Sequence, residues 1–237
     1  MDTYDVKSGY AGVQSPAVAE RVTTFLRAVY GWMCVGLGVT AVVAYGVAGS
    51  PVLVRTLLTN RLLFFVLLGA ELGLVFYLSA RVDRIAPGTA SAMFLGYSAL
   101  NGVTLSLILL MYTRESVANT FGVCAVMFGA LALYGTTTRR SLAGVGQFMF
   151  MGLIGVILAS IVGFFWHSTA LQFVIACVGV VVFTGLTAWD AQRLKQMATA
   201  LPDGQVGSYA VVGALSLYLN FINLFFMLLR LFGNRRD

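Results

Sequence analysis

Two acidic side chains, Glu71 and Asp190, stand at the edge of or inside otherwise apolar stretches of this 237-residue sequence. An ionisable group within a membrane span costs at least about 2.5–3.5 kcal/mol on insertion scales, so each marks a candidate site. The other seven of the nine acidic residues fall in tails or loops. Arg81 follows Glu71 by ten residues, roughly 15 Å along a helix. With Arg81 at the interface, Glu71 sits near mid-membrane. Counting spans puts the ends of the second and sixth on one membrane face, so Arg81 can meet Asp190 while Glu71 lies too deep. An Arg–carboxylate pair at the mouth of a bundle is an electrostatic latch that loosens when the acid takes up a proton. The plainer alternative is that each residue is solvated at the interface. Asn220 and Asn223, spaced i and i+3 in Leu-Tyr-Leu-Asn-Phe-Ile-Asn-Leu-Phe, place two amides on one helix face. Taken alone, such amides serve as interhelical glue. Asn101 and the run Thr136-Thr137-Thr138 read as structural.

Covalent and metal chemistry find few residues to work with. His167 is the single histidine, which excludes a histidine pair for zinc and a Ser–His dyad. An intramembrane aspartyl protease needs two carboxylates sharing a proton, and the spans hold one Asp. Cys34, Cys124 and Cys177 lie in separate apolar runs and read as small buried hydrophobes. Gly36-Leu-Gly38 and Gly144-Val-Gly146 have the start of a nucleotide-binding loop, but neither follows a strand. The reading is of a protein that is not an enzyme and needs no cofactor.

The elements that must position these groups follow from composition. The chain is 59% hydrophobic and 10% charged, against about 25% charged for an ordinary soluble domain. Its charges are too few to coat a soluble globule, which leaves a polytopic membrane protein. The net charge of +6 would suggest nucleic acid in a soluble chain. Here the basic residues sit mainly at the ends of apolar runs, where they set topology. The partners read from this are the lipid bilayer and no nucleic acid.

Uncharged stretches of about 20 residues mark the spans. They run Ala28–Ala48, Leu62–Ala80, Gly88–Tyr112 and Val117–Gly135. From Ser141 to Trp189, 49 residues carry no formal charge. As one helix these would reach about 74 Å, more than twice a bilayer core. The stretch must fold back at its polar break, Trp166-His167-Ser168-Thr169, giving spans five and six. Tyr209–Leu229 is the seventh. The expected fold is all-α: one seven-helix transmembrane bundle over residues 27–233, a poorly ordered polar tail over 1–26 and a short basic tail over 234–237. The amino-terminal tail lacks the basic start and apolar core of a signal peptide. Seven full crossings distribute the basic residues nine to six and put the amino terminus inside. A re-entrant last segment would make the split twelve to three, so the side of the carboxyl terminus stays open. Gly69/Gly73 and Gly155/Ala159 are small-xxx-small pairs, expected at close helix contacts.

The carboxyl-terminal third resembles the Bax inhibitor (transmembrane Bax-inhibitor-motif) family. The carrying residues are Ser216-Leu-Tyr-Leu-Asn-Phe-Ile-Asn-Leu-Phe-Phe-Met-Leu-Leu-Arg-Leu-Phe-Gly233, with Trp189-Asp190-Ala-Gln192 upstream. Tyr134-Gly-Thr-Thr-Thr-Arg-Arg140 and Phe150-Met-Gly-Leu-Ile-Gly155 are similar to segments of bacterial members, and Glu71 matches the acid of the second span. The resemblance implies that the last helix is central and that the protein is a pH-sensitive calcium leak of a bacterial inner membrane. In the family pattern, aspartates on spans six and seven share a proton and an arginine latches them. Asp190 matches the first aspartate and Arg81 the latch, with a spacing from Glu71 one residue off that pattern. The second aspartate is Asn220 here. An amide cannot share an ionisable proton but can donate an N–H to Asp190. The expected response to pH is weaker or acid-shifted, with fewer oxygen charges for calcium. The resemblance also implies a second role, a non-conducting modulator of a membrane-bound ATP-dependent protease or of stress and cell-death machinery. The polar amino-terminal tail would serve that role.

Overall fold

Pro51 and Pro87 each open a helix at a position where the missing N–H costs nothing. Asn60 and Thr113 open two more, their side chains accepting from the amides of Leu63 (3.0 Å) and Ser116 (3.3 Å). The structure, a computed structural model, describes residues 16–166, 168–200 and 206–236. Among them are eight α-helices: α1 (Pro16–Ala48), α2 (Pro51–Thr59), α3 (Arg61–Ala80), α4 (Pro87–Leu109), α5 (Arg114–Thr137), α6 (Ala143–Phe165), α7 (Thr169–Ala200) and α8 (Val206–Phe232). All but α2 are long and apolar enough to cross a membrane, which makes seven.

Two boundaries and one added helix differ from the sequence reading. Helix α1 begins at Pro16, so residues 16–26 are helical, whereas the sequence reading put them in a disordered tail. Phe25 is buried and Val22 and Leu26 pack on the core, so this turn belongs to the bundle. Residues 1–15 of that tail, and His167 in the α6–α7 hairpin, lie outside the described residues. Helix α2 is an addition: nine residues too short to cross, with Leu57 as its buried anchor. Helix α7 runs eleven residues past Trp189, carrying Arg193 and Lys195 on its extension. Helix α8 is continuous over 27 residues, long enough for a full crossing, as the sequence reading favoured over a re-entrant segment. Beyond α8 the tail is pinned to the α4–α5 connection: Thr113 N donates to Asn234 O and Arg236 N to Met111 O, each at 3.0 Å.

Helix α8 is the hub. In its most apolar stretch 72% of residues are buried, against 11–33% for the other six spans. Tyr218, Leu215, Leu217, Leu224 and Leu229 are almost wholly enclosed. A helix apolar on every side is satisfied only by neighbours on every side. Helices α1, α4, α5 and α7 supply them, with α3 and α6 outermost. The outer faces carry Val42, Tyr45, Leu62, Phe76, Val126, Phe148 and Phe165, all exposed. A belt of that extent is a lipid-facing surface.

The close helix approaches use other glycines than the sequence suggested. A Cβ on Gly69, Gly73 or Gly155 would meet nothing within 4 Å. One on Gly135 would collide with the Ala188 carbonyl, and one on Gly146 with the Trp189 ring. Helices α5 and α6 therefore lock onto α7 at residues 188–189, directly beside Asp190.

Candidate functional site

The segment Trp189-Asp190-Ala191-Gln192 sends successive side chains to different parts of the bundle. The Trp189 ring lies against Gly146 of α6, and Arg193 covers it with Cζ 5.5 Å from the ring centroid. Ala191 is fully enclosed. Gln192 fastens the α5–α6 connection, its Oε1 accepting from Leu142 N and its Nε2 donating to Arg140 O, both at 2.8 Å. One turn on, Lys195 Nζ donates to Thr136 O at 2.7 Å. These contacts tie the Tyr134–Arg140 segment to α7 and fix the helix rotation that aims Asp190 inward.

Asp190 faces Asn220 of α8, whose Nδ2 donates to Asp190 Oδ2 at 2.7 Å. Asn220 is buried at 7% exposure, so this charge-assisted bond lies inside the bundle. Arg193, one turn along the same helix, has its guanidinium over the Trp189 ring. Arg81 is placed elsewhere: it caps α3, exposed, with Cζ 6.0 Å from the ring of Tyr77. Among the described residues Arg81 makes no contact with Asp190, because α3 is an outer helix separated from α7 by the hub. Asn223 Nδ2 donates to Leu219 O of its own helix at 2.8 Å, and so does not extend the pair. The second carboxylate oxygen of Asp190 and the amide oxygen of Asn220 are what this pair can present to a cation.

Glu71 belongs to a second polar cluster. Thr104 Oγ1 donates to Glu71 Oε1 at 2.6 Å, and Asn101 is a further hydrogen-bonding neighbour. The Tyr218 hydroxyl donates to Asn101 Oδ1 at 3.2 Å and stands 2.6 Å from Thr40 Oγ1. Thr40 in turn reaches the carbonyls of Gly36 and Ser98, each at 2.9 Å. Four helices, α3, α4, α8 and α1, are thus stitched across the bundle. Phe94 and Tyr97 flank Tyr218 edge-on, with ring centroids 5.7 Å away in both cases. Among the described residues no buried side-chain nitrogen or oxygen lacks a partner. Sequence reasoning found Glu71 and missed Thr40 and Thr104, whose hydroxyls usually bond the preceding turn, and Tyr218, whose ring reads as apolar core. The available signal was Asn101 with Thr104, an i, i+3 polar pair on one face of α4.

Fold and site together define an integral membrane protein: a seven-span helical bundle with two polar clusters against a buried central helix. A family model described as "Inhibitor of apoptosis-promoting Bax1" matches residues 22–237. The chain is 49% identical to inner membrane protein YbhL of Escherichia coli over 216 residues, covering 90% of this chain and 92% of that one. An uncharacterized protein of Borreliella burgdorferi is 43% identical, covering 90% and 93%, and one of Rickettsia prowazekii is 39% identical, covering 92% of each. The chain belongs to the Bax inhibitor family. It is a multi-pass protein of the bacterial inner membrane.

Proposed function

We propose that this protein is a cation leak channel, with calcium as the ion, whose conduction is controlled around Asp190. The observation that carries the reading is the Asp190–Asn220 hydrogen bond, buried between α7 and the central helix. A bare carboxylate there costs several kcal/mol. A permeating cation offers the same oxygen a competing partner, and proton uptake would weaken its hold on both. Glu71, on the neighbouring cluster, is the second intramembrane acid such a path can use. Gating here rests on Asp190 with an amide partner, so the response to pH is weaker than a pair of acids would give. Arg81, placed on Tyr77, can join only after a rearrangement of α3.

Calcium flux into liposomes across pH, with potassium as the comparison ion, tests the reading. Asp190→Asn is expected to change calcium flux and flatten its pH profile. Unchanged flux removes Asp190 from the path, and absence of flux from wild-type protein removes the channel. Deletion of residues 2–15, which stops short of α1, addresses the protease-modulator reading: a channel keeps its flux, while a tail-dependent partner loses its effect.

A further inference from the structure

The carboxyl-terminal end of the bundle, away from Asp190, holds a cavity of about 310 Å³ between α4, α6, α7, α8 and the tail. Gln172 of its wall precedes Asp190 by 18 residues, about 27 Å along α7. The two sites are separate. The cavity has two chemically distinct parts. Its apolar lining includes the buried Ile175 and half-buried Phe226, next to the exposed Ser160, whose hydroxyl is turned back onto Val156 O at 2.7 Å. Its polar lining is Arg230, Arg235 and Gln172, all three exposed.

Neither guanidinium has a carboxylate partner among the described residues. Arg230 alone could be read as a cation at the end of α8, where it favours the helix dipole. Arg235 has no such reason to be there. It lies beyond the helix and is brought back by antiparallel pairing with Tyr112 and by the bonds of Asn234 and Arg236 to the α4–α5 connection. The tail backbone thus brings a second arginine to a largely apolar slot at the end of the spans. Planar guanidinium groups match phosphate oxygens in pairs, and the slot below matches acyl chain.

We infer that this cavity binds an acidic phospholipid, its phosphate held between Arg230 and Arg235 and its chain entering beside Ser160 and Phe226. The site does not depend on the channel reading. The test is lipid retention by purified full-length protein, delipidated and offered phosphatidylglycerol or phosphatidylcholine, and read by native mass spectrometry. Phosphatidylglycerol is expected to be retained preferentially. The variant Arg230→Gln/Arg235→Gln should lose that preference by about 30-fold, at about 1 kcal/mol per surface cation. Arg230→Lys/Arg235→Lys should restore part of it. Ser160→Phe fills the slot while leaving both arginines and should also lose retention. Equal retention of the two lipids, or undiminished preference in the Gln or Phe variants, overturns the assignment. So does displacement of phosphatidylglycerol by millimolar inorganic phosphate, which would make this a free-anion site.

Discussion

Asn220 of α8 and Asp190 of α7 are joined through a 2.7 Å bond from amide to carboxylate, across the interface between the central helix and its neighbour. The amide can donate without titrating, so the acid has a partner at every pH. Replacing it by a second acid changes that. Two carboxylates at this distance cannot both ionise and take up a proton as a unit. Asn220→Asp is expected to make calcium flux a steeper function of pH in liposomes. Superimposable profiles for the two proteins would separate this pair from gating.

Tyr218 is the joint between α8, α4 and α1. Tyr218→Phe keeps the ring between Phe94 and Tyr97 but takes the hydroxyl from Asn101 and Thr40. Side-chain hydrogen bonds in membrane bundles contribute about 0.6–1.7 kcal/mol. Thermal unfolding in detergent should fall by a few degrees, by roughly 2–4 °C per kcal/mol. Thr40→Val combined with Tyr218→Phe should cost less than the two separate losses, since they share one contact. Strict additivity would break the proposed connection.

Glycines give a paired comparison. Gly135→Ala drives a methyl into the Ala188 carbonyl and should destabilise by about 1–3 kcal/mol, as overpacking does. Gly69→Ala and Gly73→Ala meet open space and should be neutral or gain up to about 1 kcal/mol of helix preference. Denaturant titration in micelles separates the cases. A loss at Gly69 equal to that at Gly135 would mean that the Gly69 face of α3 packs on a neighbour.

Gln192 holds the α5–α6 connection by both ends of its amide. Gln192→Ala leaves Leu142 N and Arg140 O without that partner. Loss of about 1.4 kcal/mol of local protection makes exchange about tenfold faster. Hydrogen exchange at Leu142 should therefore accelerate, with the centre of α8 unchanged. Unaltered exchange at Leu142 would show that the connection is held by other contacts.

Much of the candidate site was visible as chemistry but not as geometry. Glu71 and Asp190 stand out because a charge in an apolar run is conspicuous in one dimension. Their partners do not. Thr104 and Tyr218 are ordinary residues of apolar helices, and nothing in their local sequence says that one meets Glu71 and the other spans to Thr40. Arg81 was the natural latch by depth alone. Depth is fixed by counting residues, but lateral position is not, and α3 proved to be an outer helix whose terminal arginine rests on Tyr77.

The sequence by itself determined the class of the protein and its seven apolar spans. These rest on charge count and on apolar length, which the bilayer thickness converts directly into spans. Tertiary structure alone decided which helix faces meet: Asp190 with Asn220, Glu71 with Thr104, Gly135 with Ala188 and not Gly69 with anything. The reason is physical. In lipid, the outward and inward sides of a helix are equally apolar, so hydrophobicity does not record the rotation of each span. Rotation is set by close packing and by scarce polar contacts, which exist only once all seven helices are assembled.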